Sequence, residues 1–229
     1  MDFIYEGFIK ALGILGTGNP EVMGILLLTL RVSGIGIIIA SVLGLPAGFL
    51  IAVTPFRGKG VVIAVLNTLM SLPTVTVGLI GYALLSRRGP FGSLELLFTP
   101  TAIIIGEVIL VLPIVTALCC AAVRGVDTAV RKTSLTLGAG PLRAALAVIR
   151  ESRYAVMAAI LAGFGRAVSE VGAATMLGGN IRGFTRTLTT AIAFETGKGE
   201  FGFSFALGII LLLLAFAVTG IFHLLQRRI

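Results

Sequence analysis

The chain has 229 residues, of which 57% are hydrophobic and only 12% are charged, and its formal net charge is +8. A water-soluble domain carries roughly 25% charged residues, so this composition excludes an ordinary soluble globule. The apolar residues form blocks of the roughly 20 residues that cross a bilayer as a helix. Continuous runs such as Ile209 to Ala217 lack the alternation of a membrane β-barrel. The sequence therefore predicts an all-α integral membrane protein.

The first residues predict a short amphipathic helix over 3–16. Because this stretch is too short and too charged to span a bilayer, we expect it to lie in the membrane interface. Its apolar residues recur at the spacing of one helix face: Ile4, Phe8, Leu12 and Leu15.

Apolar blocks in the rest of the chain predict about five transmembrane helices within a single domain, residues 1–229. Pro73 lies near the middle of the second block, and glycine pairs such as Gly44 and Gly48 suit close helix packing in lipid. The expected spans are about 23–53, 61–85, 101–123, 154–177 and 202–225.

The charges between these spans predict the orientation of the chain. Five spans place the termini on opposite sides, so connections 54–60, 124–153 and 226–229, which include Arg227 and Arg228, share one side. That side carries ten basic and two acidic residues, whereas the other carries six of each. Basic connections stay in the cytoplasm. We therefore expect the amino terminus outside and the carboxyl terminus inside.

The cytoplasmic connection 124–153 predicts a helix, a tight turn and a second helix. Gly138 and Gly140 permit a positive φ or close approach of a partner's backbone at the turn, and Pro141 suits the first turn of the following helix. Such a hairpin either docks with a partner protein or lies on anionic lipid, and both alternatives stay open. Its apolar residues stand among basic ones: Val130, Leu135, Leu137, Leu142, Leu146 and Ile149.

Several motifs resemble the permease subunits of type I ABC importers. Residues 126–141, with their Leu137-Gly138-Ala139-Gly140 core, are similar to the coupling loop of that family. Thr29–Ser33 and Leu72–Leu79 resemble its first span and its proline-broken second span. Residues 165–172 resemble the fourth span of the molybdate, tungstate and sulfate group. The external loop 178–192 looks closest to tungstate-type permeases.

This resemblance implies the type I ABC importer permease fold and a role in ATP-driven oxyanion import, with tungstate as substrate and molybdate or another oxyanion of the group as the alternative. It also implies two copies of this chain, two ATP-binding cassette subunits that hold ATP and magnesium, and an external oxyanion-binding protein. The setting is the cytoplasmic (inner) membrane of a bacterium or archaeon. The residues expected to contact the ATPase are Arg131, Lys132, Leu137, Gly138, Ala139, Gly140, Pro141 and Leu142.

Four charged residues lie within predicted spans: Arg31, Glu107, Arg166 and Glu170. Each is costly in hydrocarbon, so each should have a partner. Glu170 follows Arg166 by one helical turn, and we expect Glu107 to pair with Arg31 or Arg166 in the same cluster. The alternative is that an arginine helps an anion to cross, but two acids beside two bases favour mutual neutralisation.

The external loops place polar groups near the outer face: Asn180, Arg182, Thr185 and Arg186, followed by Thr187, Thr189 and Thr190. Such groups can hydrogen-bond an oxyanion. They also suit an outer gate or a contact with the binding protein, and the sequence leaves the three alternatives open.

Two other classes of function have less support. A stand-alone channel or secondary carrier would work without ATP, but no internal repeat is visible. An intramembrane enzyme needs a catalytic set, whereas Cys119 and Cys120 are adjacent in an apolar run and the single histidine is His223.

The phosphate-binding pattern of an ATPase is absent, so ATP hydrolysis is expected on another chain. The basic connections reflect topology rather than nucleic-acid binding.

Overall fold

The computed structural model describes residues 2–17 and 19–228, except for the side chains of residues 2, 3, 14, 15, 17, 223 and 225–228. Predictions that rest on the side chains of Leu15, His223, Arg227 and Arg228 lie outside the described residues. The described chain is helical, as predicted, with a 3-10 turn at Gly92–Leu94. The helices are α1 Asp2–Thr17, α2 Pro20–Val53, α3 Lys59–Leu69, α4 Thr74–Leu85, α5 Pro100–Arg124, α6 Thr128–Thr136, α7 Pro141–Glu151, α8 Arg153–Val168, α9 Gly172–Gly178, α10 Leu188–Gly197 and α11 Phe201–Arg228.

Three helices are long and apolar enough to cross a bilayer alone, namely α2, α5 and the Phe201–Phe222 part of α11. Two pairs satisfy the same criterion only together: α3 with α4, bent by 92°, and α8 with α9, bent by 56°. Counting each bent pair as one span gives five, which confirms the predicted membrane fold. α2 has 34 residues and is about 51 Å long. It therefore exceeds the hydrocarbon core of about 30 Å.

The two bends have different local causes. Between α3 and α4, Pro73 takes the N-cap position of α4 and disfavours helical backbone at Leu72. Between α8 and α9, residues 169–171 interrupt the helix without a proline. The sequence predicted an unbroken fourth span over 154–177, so this second bend is a correction. Glu170 lies at this break, and its side chain contacts both helices, as described below.

The centre of the bundle is the contact between α2 and α5. Three glycines of α2 let the helices approach closely, because a Cβ at any of them would lie within 3.0 Å of an atom of α5. At Gly48 that distance is 2.5 Å to the Thr116 carbonyl oxygen, and at Gly44 it is 3.0 Å to the Thr116 hydroxyl. The predicted packing role of Gly44 and Gly48 in helix contacts is confirmed.

The two bent pairs also pack on each other, through α4 and α9. A Cβ at Gly78 would lie 2.9 Å from the Cα of Ala173, and one at Gly172 would lie 2.7 Å from the Thr74 hydroxyl. Thr74 and Gly172 are the first residues of α4 and α9. The two bends are therefore in direct contact.

Helix α1 packs along α11, where Gly7 meets Phe205 and Ala11 is fully buried. The apolar residues predicted to face lipid, Ile4, Phe8 and Leu12, are about half exposed. The exposed parts of these side chains are suited to contact lipid, although an interfacial position of α1 stays a prediction.

Helices α6 and α7 form the hairpin predicted within 124–153. A single residue, Ser152, separates α7 from α8. Its backbone N–H donates to the Val148 carbonyl, and its own carbonyl accepts from the Val156 N–H. Helical hydrogen bonding thus runs through the junction, and Ser152 is buried.

Candidate functional site

Glu107 is buried between α5 and α2, with 3% of its surface exposed. Its Oε1 accepts a hydrogen bond from the Ser33 hydroxyl at 3.3 Å, whereas Oε2 has no hydrogen-bond partner among the described residues. Gly36 leaves the room for this carboxyl group, because a Cβ there would lie 2.8 Å from Oε2. The carboxyl group therefore occupies a space that only glycine leaves free.

The predicted pairing of Glu107 with Arg31 or Arg166 is wrong. Within the described chain neither arginine forms an ion pair with it. For Arg31 the reason is helical geometry: residues two apart on a helix point about 200° apart. Since Ser33 faces Glu107, Arg31 points away from α5 and is exposed.

The predicted contact between Arg166 and Glu170 is present. Arg166 Nη1 lies 2.8 Å from Glu170 Oε2, and the two side chains are 30% and 2% exposed. The other carboxylate oxygen of Glu170 accepts from the Ala173 N–H at 2.8 Å. One carboxylate thus joins the last turn of α8 to the first turn of α9 and satisfies a free N–H at a helix start.

Arg31 lines an open cavity of about 770 Å³ at the amino-terminal end of α2. Arg182 and Arg186 line the same cavity, together with Glu21. Arg31 has no ion pair among the residues that the structure describes. The four intramembrane charges therefore do not form the single cluster that the sequence predicted.

The two arginines of the loop before α10 are engaged within the chain. Arg182 holds Glu21 through two hydrogen bonds, one of them 2.6 Å between Nε and Oε1. This bond to the Glu21 carboxylate raises the pKa of Arg182 above its usual value. Arg186 is buried, and its Nη1 lies 3.3 Å from Glu195 Oε1. The guanidinium of Arg186 also lies 5.1 Å from the ring centre of Phe194.

The threonines of this region form a buried network that ties α10 to the bundle. Thr29 of α2 accepts from the Leu188 N–H at 2.9 Å, and Thr189 donates to the Glu170 carbonyl at 2.7 Å. Thr187 and Thr190 close a capping box at the start of α10. These hydroxyl groups are buried and make bonds inside the chain, so they are not available to an oxyanion at the surface.

Thr185 and Asn180 shape the loop before α10. The fully buried Thr185 hydroxyl donates to the Gly178 carbonyl and accepts from the Ile181 N–H at 2.9 Å. Asn180 adopts a positive φ of 50°, and its buried Oδ1 has no hydrogen-bond partner within the described chain. Of the four residues predicted as an external gate or partner contact, Arg182 alone is exposed. Thr185 and Arg186 instead make hydrogen bonds within the chain.

The hairpin places its turn well outside the bundle. Gly138 has φ +83°, and its N–H donates to Leu135 while the Ala139 N–H donates to Ser134. These two bonds form a Schellman motif, in which glycine avoids the cost of a left-handed residue. Gly140 has φ −66°, so the prediction of a positive φ is confirmed at Gly138 alone.

The turn exposes apolar surface. Leu137 is 82% exposed and Leu142 is 76% exposed. Arg131, Lys132 and Arg143 are exposed on the same hairpin. An apolar patch among basic residues is the kind of surface that protein partners cover.

Sequence reasoning missed the residues that contact Glu107 and Arg182 from distant positions in the chain. Ser33 and Gly36 surround Glu107 from 74 and 71 positions away, and Glu21 holds Arg182 across 161 positions. Glu195 offered a signal, since an acid with Lys198 three residues later suggests a local pair, which the structure contains at 3.5 Å.

Residues 44–229 match the family described as binding-protein-dependent transport system inner membrane component. The chain belongs to this family. The permease is 38% identical over 228 residues to the tungstate uptake system permease protein of Peptoclostridium acidaminophilum, covering all of both chains. It is 41% identical over 227 residues to the protein of the same name in Campylobacter jejuni, covering 99% of this chain and 95% of the relative.

A more distant relative is the molybdenum transport system permease protein of Escherichia coli. It is 27% identical over 194 residues, which cover 80% of this permease and 84% of the relative. The resemblance to ABC importer permeases of the tungstate, molybdate and sulfate group is therefore confirmed. The permease is an integral membrane protein of that transport family.

Proposed function

We propose that this permease forms the membrane pathway of an ATP-driven oxyanion importer and that tungstate is its substrate. Two copies would build the pathway, two separate ATPase subunits would bind ATP and magnesium, and an external binding protein would deliver the anion. The observation that carries the proposal is the exposed turn at Leu137 and Leu142. Such a turn is suited to dock with a cytoplasmic partner, because covering large apolar side chains that are otherwise left in water is favourable.

The choice of tungstate rests on the two permeases named for tungstate uptake, which match this chain over nearly its whole length. The permease named for molybdenum transport has lower identity and coverage. Tungstate and molybdate are tetrahedral dianions of nearly equal size, so the binding protein would make most of the selection. Molybdate remains the second candidate substrate.

Within the pathway, we assign a structural role to the intramembrane acids. Glu170 is neutralised by Arg166, and Glu107 is enclosed between α2 and α5. A carboxylate repels an anion, so neither acid is suited to bind the oxyanion. A pathway that must release its ion also gains from weak binding.

The test is uptake by the purified permease, its ATPase and its binding protein in liposomes. We expect ATP-dependent accumulation of tungstate, and stronger competition by unlabelled tungstate than by molybdate. Uptake without ATP or the ATPase would instead identify a stand-alone channel or carrier. Stronger competition by molybdate would reassign the substrate and leave the importer class intact.

A matched pair of variants tests the coupling surface. Leu137→Asp places a charge on the exposed turn, whereas Thr128→Asp places the same charge at an exposed polar position of the same hairpin, outside the expected ATPase contacts. We expect Leu137→Asp to lower ATPase copurification and Thr128→Asp to preserve it. Equal copurification would assign the ATPase contact to another surface.

A further inference from the structure

An apolar groove runs along α4 between that helix, α5 and the segment 91–96. Its volume is about 520 Å³, and it is lined almost wholly by aliphatic and aromatic side chains. From Val77 to Leu85 it follows α4 for about 12 Å, which fits within one leaflet of a hydrocarbon core about 30 Å thick. Ile80, Leu84 and Leu94 line it with 55%, 39% and 58% of their surfaces exposed.

A basic cavity of about 710 Å³, named for the two arginines in its lining, adjoins the groove at the end of α4. Leu85 is a wall of both cavities, and Arg87 and Arg88 line the basic one. Neither arginine has an ion pair among the described residues. The cavity also contains one acid, Glu95, so it carries an excess of positive charge.

From this juxtaposition, we propose that the groove along α4 and the arginine pair Arg87 and Arg88 form a binding site for an anionic phospholipid. One acyl chain would lie in the groove and the phosphate would meet the two guanidinium groups, which bind phosphate oxygens with charge-assisted hydrogen bonds. Tyr82 lines the basic cavity, and its ring centre lies 6.1 Å from that of Phe98. Aromatic rings at this level are typical of the membrane interface.

The basic cavity favours lipid over a second copy of the chain as the occupant. A symmetric contact centred on this groove would bring the arginine pairs of both copies together. Like charges in an interface oppose association. An anionic headgroup instead supplies the missing negative charge, and its acyl chain covers an apolar surface that side chains leave open.

The test is native mass spectrometry of the full-length permease, in the complex with which it purifies, after titration with phosphatidylglycerol or with phosphatidylcholine of the same chain length. We expect tighter binding of phosphatidylglycerol. Replacing both arginines, Arg87→Gln with Arg88→Gln, should remove roughly a twenty-five-fold preference, since each arginine near an anionic headgroup contributes about fivefold. The same replacement at exposed Arg57 and Arg124, which lie outside the cavity, is the control.

A second pair of variants tests the groove itself. Ile80→Trp fills it, whereas Leu79→Trp adds the same bulk beside it, and both positions are 55% exposed. Each buried methylene is worth about fourfold in lipid affinity, so Ile80→Trp should weaken binding of both lipids by more than tenfold while Leu79→Trp does not.

Three results would overturn the proposal. The first is equal lipid binding by the two tryptophan variants. The second is an unchanged headgroup preference after replacement of Arg87 and Arg88. The third is disulfide formation between two copies carrying Ile80→Cys, in a chain with Cys119→Ala and Cys120→Ala. The last result would show that a second copy covers the groove. Because none of these measurements involves transport, their outcome is independent of the proposed oxyanion substrate.

Discussion

Glu170 Oε2 lies 2.8 Å from Arg166 Nη1 across the break between α8 and α9. The same carboxylate accepts a hydrogen bond from the Ala173 N–H, so one side chain contacts both sides of the bend. Glu170→Ala removes both contacts, whereas Glu170→Gln keeps an oxygen for the Ala173 N–H and loses the ion pair. We expect losses in the free energy of unfolding of about 3 kcal/mol for alanine and about 1–2 kcal/mol for glutamine, because Arg166 is partly exposed.

The measurement for Glu170 is the unfolding midpoint in detergent. Glu6→Gln, at an exposed position on α1, is the control and should leave the midpoint unchanged. Equal midpoints for the alanine and glutamine variants would contradict the capping role of the carboxylate oxygen.

Two glycines of α2 provide a matched test of the α2–α5 contact. Alanine normally stabilises a helix relative to glycine by about 0.5–1 kcal/mol. A Cβ at Gly36 would lie 2.8 Å from the buried Glu107 carboxylate, whereas a Cβ at Gly34 would meet nothing within 4 Å. We therefore expect Gly34→Ala to be neutral or stabilising and Gly36→Ala to cost about 1–3 kcal/mol. Thermal unfolding of the two purified variants measures the difference, and a stabilised Gly36→Ala would show that Glu107 moves freely aside.

The turn of the hairpin offers a second pair of glycines with equal space and different backbone. A Cβ at Gly138 or at Gly140 would meet nothing within 4 Å, but Gly138 has φ +83° and Gly140 has φ −66°. We expect Gly138→Val to distort the turn, since a branched residue is disfavoured there. The variant should insert normally yet lose stimulation of ATP hydrolysis by loaded binding protein.

Gly140→Ala tests a smaller change at the same turn, and Gly60→Val, at an exposed glycine with open space outside the hairpin, is the control that should keep the stimulation. The ATPase rate is measured with and without loaded binding protein, in complexes of equal subunit ratio. Normal stimulation of the Gly138→Val complex would argue against residues 131–142 as the coupling element.

The orientation of the chain is tested by chemical labelling from one side. The charge difference between the two sides predicts residue 140 in the cytoplasm and residue 184 outside. Both positions are exposed. In a chain with Cys119→Ala and Cys120→Ala, Phe184→Cys should react with an impermeant thiol reagent added to whole spheroplasts, and Gly140→Cys should react only after lysis. The reverse pattern would invert the topology.

The sequence predicted the features that depend on short-range patterns. Apolar length located the membrane-crossing segments, and the i,i+4 spacing located the pair of Arg166 and Glu170. Features that depend on distant partners were not predictable. The rotation of Arg31 away from Glu107 depends on which face of α2 meets α5. Likewise, no local pattern indicates that Thr29 accepts a hydrogen bond from Leu188, 159 positions away.

The single-residue junction at Ser152 connects the hairpin rigidly to α8. Because helical hydrogen bonds continue on both sides of Ser152, no flexible linker separates the hairpin from α8. The far end of α8 leads into the Glu170 bend, whose neighbour Gly172 packs against Thr74, the first residue of α4. We therefore expect a displacement of the turn at Gly138 to change the geometry of both bends together.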